Sequence, residues 1–296
     1  MTLLEMLKAY STEDKCREIL TKLRWPAGVE CPRCKESRVA WLQARNQFEC
    51  APCGYQFSVT TGTIFNDTHL PLQTWFAAVL LLCESKKGMS ALQIKRTLGI
   101  GSYKTAWYLC HRIRAAMVEA STMMDGTLEI DETYVGGKPY KGRPRQQKKV
   151  VIGIRKRDGE LRLIHAEDAT AKTVREILGK NVSEDVQVII TDESAIYPWA
   201  FNEKQRKSHQ TICHKREYVS GCVHTNTIES GFSLFKRGLM GTWHNVSGKH
   251  LAAYLSEMVF RFNRRHNADL FLDTLRHMVT APVLTFKNLT KESNAA

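Results

Sequence analysis

No stretch of this sequence stays apolar long enough to cross a membrane. The longest candidate, Trp75 to Cys83, falls well short of the roughly 20 residues a helical span needs. The opening Met1-Thr-Leu-Leu-Glu-Met-Leu-Lys8 lacks the charged start and small-residue cleavage site of a secretory signal, so export is not expected and the cytoplasm is. There are no internal repeats and no low-complexity tracts, which sets solenoids and propellers aside. Acidic residues are in deficit: 30 Asp and Glu against 43 Lys and Arg leave a net charge of +13. Such a surplus favours a polyanionic partner, nucleic acid ahead of a membrane surface. Cysteine is not arranged for disulfides. Nine are present and four fall in paired Cys-x-x-Cys spacing, the usage of a reducing compartment and a metal. The redox alternative, one such pair beside a βαβ pattern, is missing. What remains, 43% hydrophobic and 25% charged over 296 residues, is an ordinary composition for two or three globular domains.

The four paired cysteines are Cys31-Pro-Arg-Cys34 and Cys50-Ala-Pro-Cys53, with fifteen residues between the pairs. Two such knuckles set four thiolates at the corners of a tetrahedron, the geometry of a closed structural Zn²⁺ site. Short strands over 38–41, 47–50 and 55–59 complete a zinc ribbon spanning residues 27–60. Before it, residues 1–26 read as a helical lead-in, with Ser11-Thr-Glu-Asp14 as the opening cap of its helix. After it, residues 61–124 read as helical. Met89–Ile100 and Gly101–Arg114 form a helix, a Gly-containing turn and a second helix, a helix-turn-helix expected to meet DNA with Ser102, Lys104 and Thr105. Its apolar packing falls to Leu92, Ile94, Leu98, Ile100, Ala106, Leu109 and Ile113. Trp75, Trp107, Trp199 and Trp243 read as core residues.

From Gly126 the pattern turns to strands alternating with helices, an α/β layering with a mixed sheet over residues 125–280. Residues 281–296 read as a frayed tail. Three acids stand out. Asp131 lies in Thr127-Leu-Glu-Ile-Asp-Glu-Thr-Tyr-Val135 and Asp192 in Val186-Gln-Val-Ile-Ile-Thr-Asp-Glu-Ser194, both β-branched stretches that read as strands. Glu229 lies in His224-Thr-Asn-Thr-Ile-Glu-Ser230, a helix with Ile228, Phe232, Phe235 and Leu239 on one face and Glu229, Ser233 and Lys236 on another. Two strand-end acids and one helical acid can gather around hard divalent cations, which take oxygen ligands. Such a site suits in-line displacement at phosphorus. Glu132 and Glu193 adjoin the two Asps, but strand alternation turns each to the opposite face. The loop with Lys138, Lys141, Arg143, Arg145, Lys148 and Lys149 reads as a DNA-phosphate contact. The scattered Cys213, His214, Cys222 and His224 fit no compact zinc knuckle.

These motifs together resemble bacterial insertion-sequence transposases of the DDE class, in the ISXO-like group with an N-terminal zinc ribbon. The likeness runs through the four-cysteine ribbon, Ile130-Asp-Glu-Thr-Tyr-Val-Gly-Gly-Lys138, Thr191-Asp-Glu-Ser194, His224 to Glu229, and Phe235-Lys-Arg-Gly238. It continues into Lys249-His-Leu and Phe260-Arg-Phe-Asn-Arg264. It implies a multidomain α/β protein in which the ribbon and the helix-turn-helix region precede a ribonuclease-H-like mixed β-sheet flanked by helices. It also implies cleavage at element ends and transfer of the freed 3′-hydroxyls to target DNA. The cofactors implied are one structural Zn²⁺ and two catalytic Mg²⁺ or Mn²⁺. Asp131, Asp192 and Glu229 would hold the catalytic pair, with Lys236 and Arg237 on DNA phosphates. Some members of the group carry Asn in the third position, and Asn226 precedes Glu229 by one helical turn. Glu229 is favoured because a carboxylate binds Mg²⁺ more strongly and Lys236 follows seven residues on. The partners implied are terminal inverted repeats, a target duplex, and further copies of the chain on DNA, in association with the nucleoid. The alternatives are a ribonuclease-H-like nuclease or resolvase that cuts without joining, and a non-enzymatic DNA-binding regulator of transposase descent.

Overall fold

The computed structural model describes residues 1–119, 122–136, 148–212 and 223–291. The chain divides into two compact units, Met1–Val118 with Arg264–Ala296, and Glu119–Asn263.

The first unit opens with α1 (Leu3–Ala9) and α2 (Glu13–Arg24). Thr2 and Glu5 close a capping box on α1, and Thr12 caps α2 by accepting from the Lys15 N–H. The cap of α2 is therefore one residue later than the Ser11 start expected. The ribbon follows as β1 (Val39–Leu42), β2 (Gln47–Cys50) and β3 (Gln56–Phe57), antiparallel in that order. Next comes α3 (Leu72–Glu84), apolar nearly all round and buried along its length from Leu72 to Cys83. An apolar surface on every side requires neighbours on every side. α4 (Ala91–Thr97) and α5 (Tyr103–Ala116) form the expected helix pair. Ser90 caps α4, and Gly99 at φ +65° makes the turn a residue with a Cβ would strain. Ile94, Ile100, Ala106, Leu109 and Ile113 are buried as expected, whereas Leu92 is 42% exposed.

The second unit holds β4 (Thr127–Val135), β5 (Lys149–Lys156), β6 (Leu161–Ala166), α6 (Ala171–Asn181) and β7 (Val188–Asp192). It continues with α7 (Ile196–Ala200), α8 (Glu203–Lys207), β8 (His209–Ile212), α9 (Asn226–Gly238) and α10 (Gly248–Asn263). Its sheet runs β6-β5-β4-β7-β8, antiparallel through β4 and parallel from β4 to β8. Alternation along β4 sorts the core into two layers. Leu128 and Ile130 join Ile152, Ile154, Ile189 and the Val174, Leu178 and Tyr197 side chains of α6 and α7. Val135 joins Val151, Leu161 and Leu163 beneath Ile228, Phe232 and Phe235 of α9 and Leu251, Leu255 and Met258 of α10. Each such side chain contributes roughly 1.5–3 kcal/mol on burial. The layering is the mixed α/β sheet flanked by helices that the sequence leads one to expect. Trp199 is a correction: it is 69% exposed. α7 makes barely more than one turn, and with Tyr197 and Ala200 turned inward Trp199 faces water.

The chain then returns to the first unit. α11 (Leu270–Thr280) packs on α2, α3 and α5 through Phe271, Leu275, Met278 and Val279, and α12 (Phe286–Thr290) follows with Leu289 buried. The α/β unit thus ends near Asn263 and not at residue 280, and 286–290 is helical where a frayed tail was expected. No helix among the described residues is long and apolar enough to cross a membrane.

Candidate active site and metal centres

β4 and β7 pair in parallel at Thr127↔Val188, Leu128↔Ile189 and Glu129↔Ile190, and there the ladder stops. Two residues further along each strand stand Asp131 and Asp192, level with one another by that register. Equal parity with Glu129 and Ile190 places both on the side of the sheet that α9 covers. Asp131 Oδ1 accepts from the Glu132 N–H at 2.8 Å, and Asp192 Oδ1 from the Ser194 N–H at 3.0 Å, the turn that ends β7. Asp131, Glu132 and Asp192 each offer an oxygen within 4.8 Å of the other two. Glu132 does alternate to the α7 side, where the buried Tyr197 hydroxyl donates to its Oε2. Its carboxylate nonetheless reaches the Asp pair. The pairing of β4 with β7 ends at Glu129, and a Glu is long enough to reach around the open strand edge beyond it.

The Asp131 carboxyl is pushed up to about 7, chiefly by burial and then by the charges of Asp192, Glu132 and Glu229, against the Glu132 N–H that lowers it. Burial and the Glu132 carboxylate likewise raise the Tyr197 phenol. Crowded carboxylates of this kind repel one another unless protons or cations intervene. Their hard oxygens, their spacing and this repulsion fit divalent cations.

Glu229 lies outside that close trio but near enough for its charge to act on Asp131. It is exposed on the first turn of α9, as is Asn226. Gly153 sets how near α9 comes. It pairs with Asp131 across β4 and β5, and a Cβ there would stand 2.6 Å from both Ile228 Cδ1 and Phe232 Cζ. Glu129, fully buried, accepts from the Thr227 N–H at 2.9 Å and the Ile228 N–H at 3.1 Å at the start of α9. Arg157 Nε donates to it at 3.0 Å, and His224 Nδ1 lies 3.3 Å away. Sequence reading passed over Glu129, Gly153, Thr225, Arg157 and Tyr197. A charged residue at an inward position, two before Asp131 on the same face, was the one available signal for Glu129.

The cysteines come together as expected. Sγ–Sγ distances are 3.7 Å for Cys31–Cys53 and 3.5 Å for both Cys34–Cys50 and Cys34–Cys53. A tetrahedron with Zn–S bonds of about 2.3 Å has edges of about 3.8 Å, so the cluster fits zinc. Lys35 at φ +64° and Gly54 at φ +63° turn the two knuckles alike, each N–H donating to the carbonyl of Cys31 or Cys50.

The basic residues disperse. Lys149 and Lys236 line one cavity of about 360 Å³ with Tyr134, Met240 and His244. Lys148 and Arg237 are exposed. Lys104 is exposed too, with its ammonium 4.3 Å over the Phe286 ring. Lys138, Lys141, Arg143 and Arg145 lie outside the described residues, as do Cys213, His214 and Cys222.

Comparison with known proteins adds three findings. Residues 123–263 match the family described as ISXO2-like transposase domain, and residues 11–56 match the transposase zinc-ribbon domain. A protein of Halobacterium salinarum, described as an uncharacterized protein in transposable element ISH50, is 29% identical over 278 residues. That alignment covers 86% of this chain and 92% of the relative.

Proposed function

The chain is built from an ISXO2-like transposase domain and a transposase zinc ribbon, and on that premise we propose that it cuts DNA at element ends and joins the freed 3′-hydroxyls to a target. The observation that carries this reading is the Asp131–Asp192 pair, level just beyond the point where the parallel pairing of β4 and β7 ends, with a third carboxylate within 4.8 Å and the Asp131 carboxyl pushed up to about 7. Two Mg²⁺ or Mn²⁺ ions bound there would stabilise the charge on the attacking and leaving oxygens of the phosphate. Asp131, central in the sheet, Asp192 and Glu229 would hold them. Asn226, one turn earlier, is the alternative third ligand. Glu132, fixed by Tyr197, lends negative charge to the rim of the site. Lys236 and Lys149 share the cavity beyond the end of β4 and would hold DNA phosphates there. Joining two element ends calls for two active sites, so the chain would act as an oligomer on DNA. The ribbon and the α4–α5 pair would recognise the terminal repeats.

The test is incubation of purified protein with labelled element ends and Mg²⁺. Nicked and joined products are expected from the wild-type chain and neither from Asp131→Asn. Nicks without joined strands would reduce the protein to a nuclease. Binding without either product would reduce it to a regulator. In the same assay, a dead Asn226→Ala beside a normal Glu229→Gln would transfer the third ligand to Asn226.

A further inference from the structure

The first turn of α9 is capped in an unusual way. A helix begins with N–H groups that have no partner inside it, and a Ser, Thr, Asp or Asn at the N-cap normally accepts from one of them. Thr225 occupies the N-cap of α9 but makes no such bond, and its φ of −112° and ψ of 14° lie away from the usual extended geometry. Its hydroxyl instead donates to Glu229 Oε1 at 2.9 Å. The helix N–H groups of Thr227 and Ile228 are taken by Glu129, which reaches up from the sheet. Arg157 holds the other oxygen of Glu129 at 3.0 Å and also donates to the His224 carbonyl at 3.3 Å, just before the helix. Capping has thus passed from the local threonine to a carboxylate on β4, two residues before Asp131. The threonine is left to orient the exposed acid.

We infer that Glu129 is a positioning residue of the active site. By capping α9 from the sheet it fixes the helix start against Asp131 and frees the Thr225 hydroxyl to aim Glu229. Glu129 therefore acts on metal binding through Glu229, without itself touching metal or DNA. The inference rests on the proposed metal site. It requires an acceptor-only group at 129, since an amide would turn a donor toward the helix N–H groups or toward Arg157. Partners of this kind behind a ligand typically change metal affinity about 10–100-fold when lost.

The experiment measures Mn²⁺ binding to the full chain by calorimetry and by paramagnetic resonance, with thermal melting as the folding control. Glu129→Gln and Thr225→Val should each weaken Mn²⁺ binding about tenfold or more. In cleavage assays both should lower kcat and leave KM for DNA near wild type. Glu129→Asp, which keeps the charge, should recover part of the loss. The decisive arm is a Glu229→Gln background. There neither change should weaken Mn²⁺ further, because two groups acting as one unit are not additive. Should Glu129→Gln fail to fold, Thr225→Val carries the test, since it leaves the Glu129 cap in place. If Glu229→Gln binds Mn²⁺ as the wild type does, this inference falls, and the metal-site reading falls with it only if Asp131→Asn also binds Mn²⁺ as the wild type does. If Glu229→Gln is weakened while Glu129→Gln and Thr225→Val are not, the inference alone is overturned. The same holds if their losses persist in full in the Glu229→Gln background.

Discussion

The cysteine cluster fits a structural zinc and the carboxylate cluster fits divalent cations, and the two are built in opposite ways. The cysteines lie within 23 residues, Cys31 to Cys53, on two knuckles whose local backbone sets their geometry. Four soft ligands complete a tetrahedron and leave no position for a substrate. The clustered carboxylates come from β4 and β7, gathered only by the sheet register, with Glu229 on α9 near enough for its charge to act on Asp131. They are hard, mutually repulsive and open on one side, since Glu229 is exposed and Asp131 and Asp192 are half-buried. A closed local site is suited to holding a fold together. An open site drawn from distant segments stores repulsion that cations or protons must relieve, and that suits it to chemistry.

The largest effect expected from breaking this contrast is at the ribbon. One zinc per chain should be found by elemental analysis of protein purified without added metal. Removing it, or Cys50→Ala, should unfold residues 27–60, because structural zinc supplies on the order of 10 kcal/mol to small metal domains. Hydrogen exchange should show that loss while the α/β unit stays protected.

Asp131→Asn or Asp192→Asn should do the reverse, lowering cleavage by roughly 10³-fold or more, about 4 kcal/mol of barrier, with DNA affinity and folding retained. The pH dependence of stability sharpens the point. The Asp131 carboxyl sits at about 7 in the fold, against about 3.9 in an unfolded chain. The folded state therefore holds the extra proton between those values. Without divalent metal, the stability of the α/β unit should fall as pH rises from about 4 to about 7 and level off above, a change of a few kcal/mol at most. Added Mg²⁺ should restore it above pH 7, and Asp131→Asn should flatten the curve in thermal melts.

A smaller effect is expected at Gly153. Alanine there must displace Ile228 and Phe232, costing about 1–3 kcal/mol and lifting α9, so that cleavage falls more than DNA binding does. Smallest is Lys149→Ala, which should reduce the salt slope of DNA binding by about 1 if that lysine meets one phosphate. An unchanged slope would remove the cavity shared with Lys236 from the DNA path.

The contrast also explains what could be read in advance. The ribbon was legible because its ligands and spacing are local. The mixed sheet was legible from β-branched runs alternating with amphipathic helices. Asp192 was legible as a strand-end acid, whereas Asp131, expected near the end of its strand, stands in the middle of β4. Glu132 was not assigned to the site, because alternation gives the direction of a Cβ and not the reach of a long side chain at an open strand edge. Glu129 was missed because a charge inside an apolar strand has meaning only when the helix it caps is known. Trp199 was misplaced because an apolar residue suggests burial without naming the neighbour that buries it, and residues 264–280 were assigned to the α/β unit because no local signal marks which core they join.

By itself, then, the sequence determined the local chemistry: four thiolates at zinc spacing, acids on β-branched strands, a basic surplus suited to DNA, and the periodicities of each element. These depend on residues within a few turns of one another. Tertiary structure alone decided the register that levels Asp131 with Asp192, the glycine that lets α9 approach, and the buried Glu129 that caps that helix. It also decided the return of α11 to the first unit. Each of these joins segments distant along the chain, and no local preference of either segment encodes the meeting.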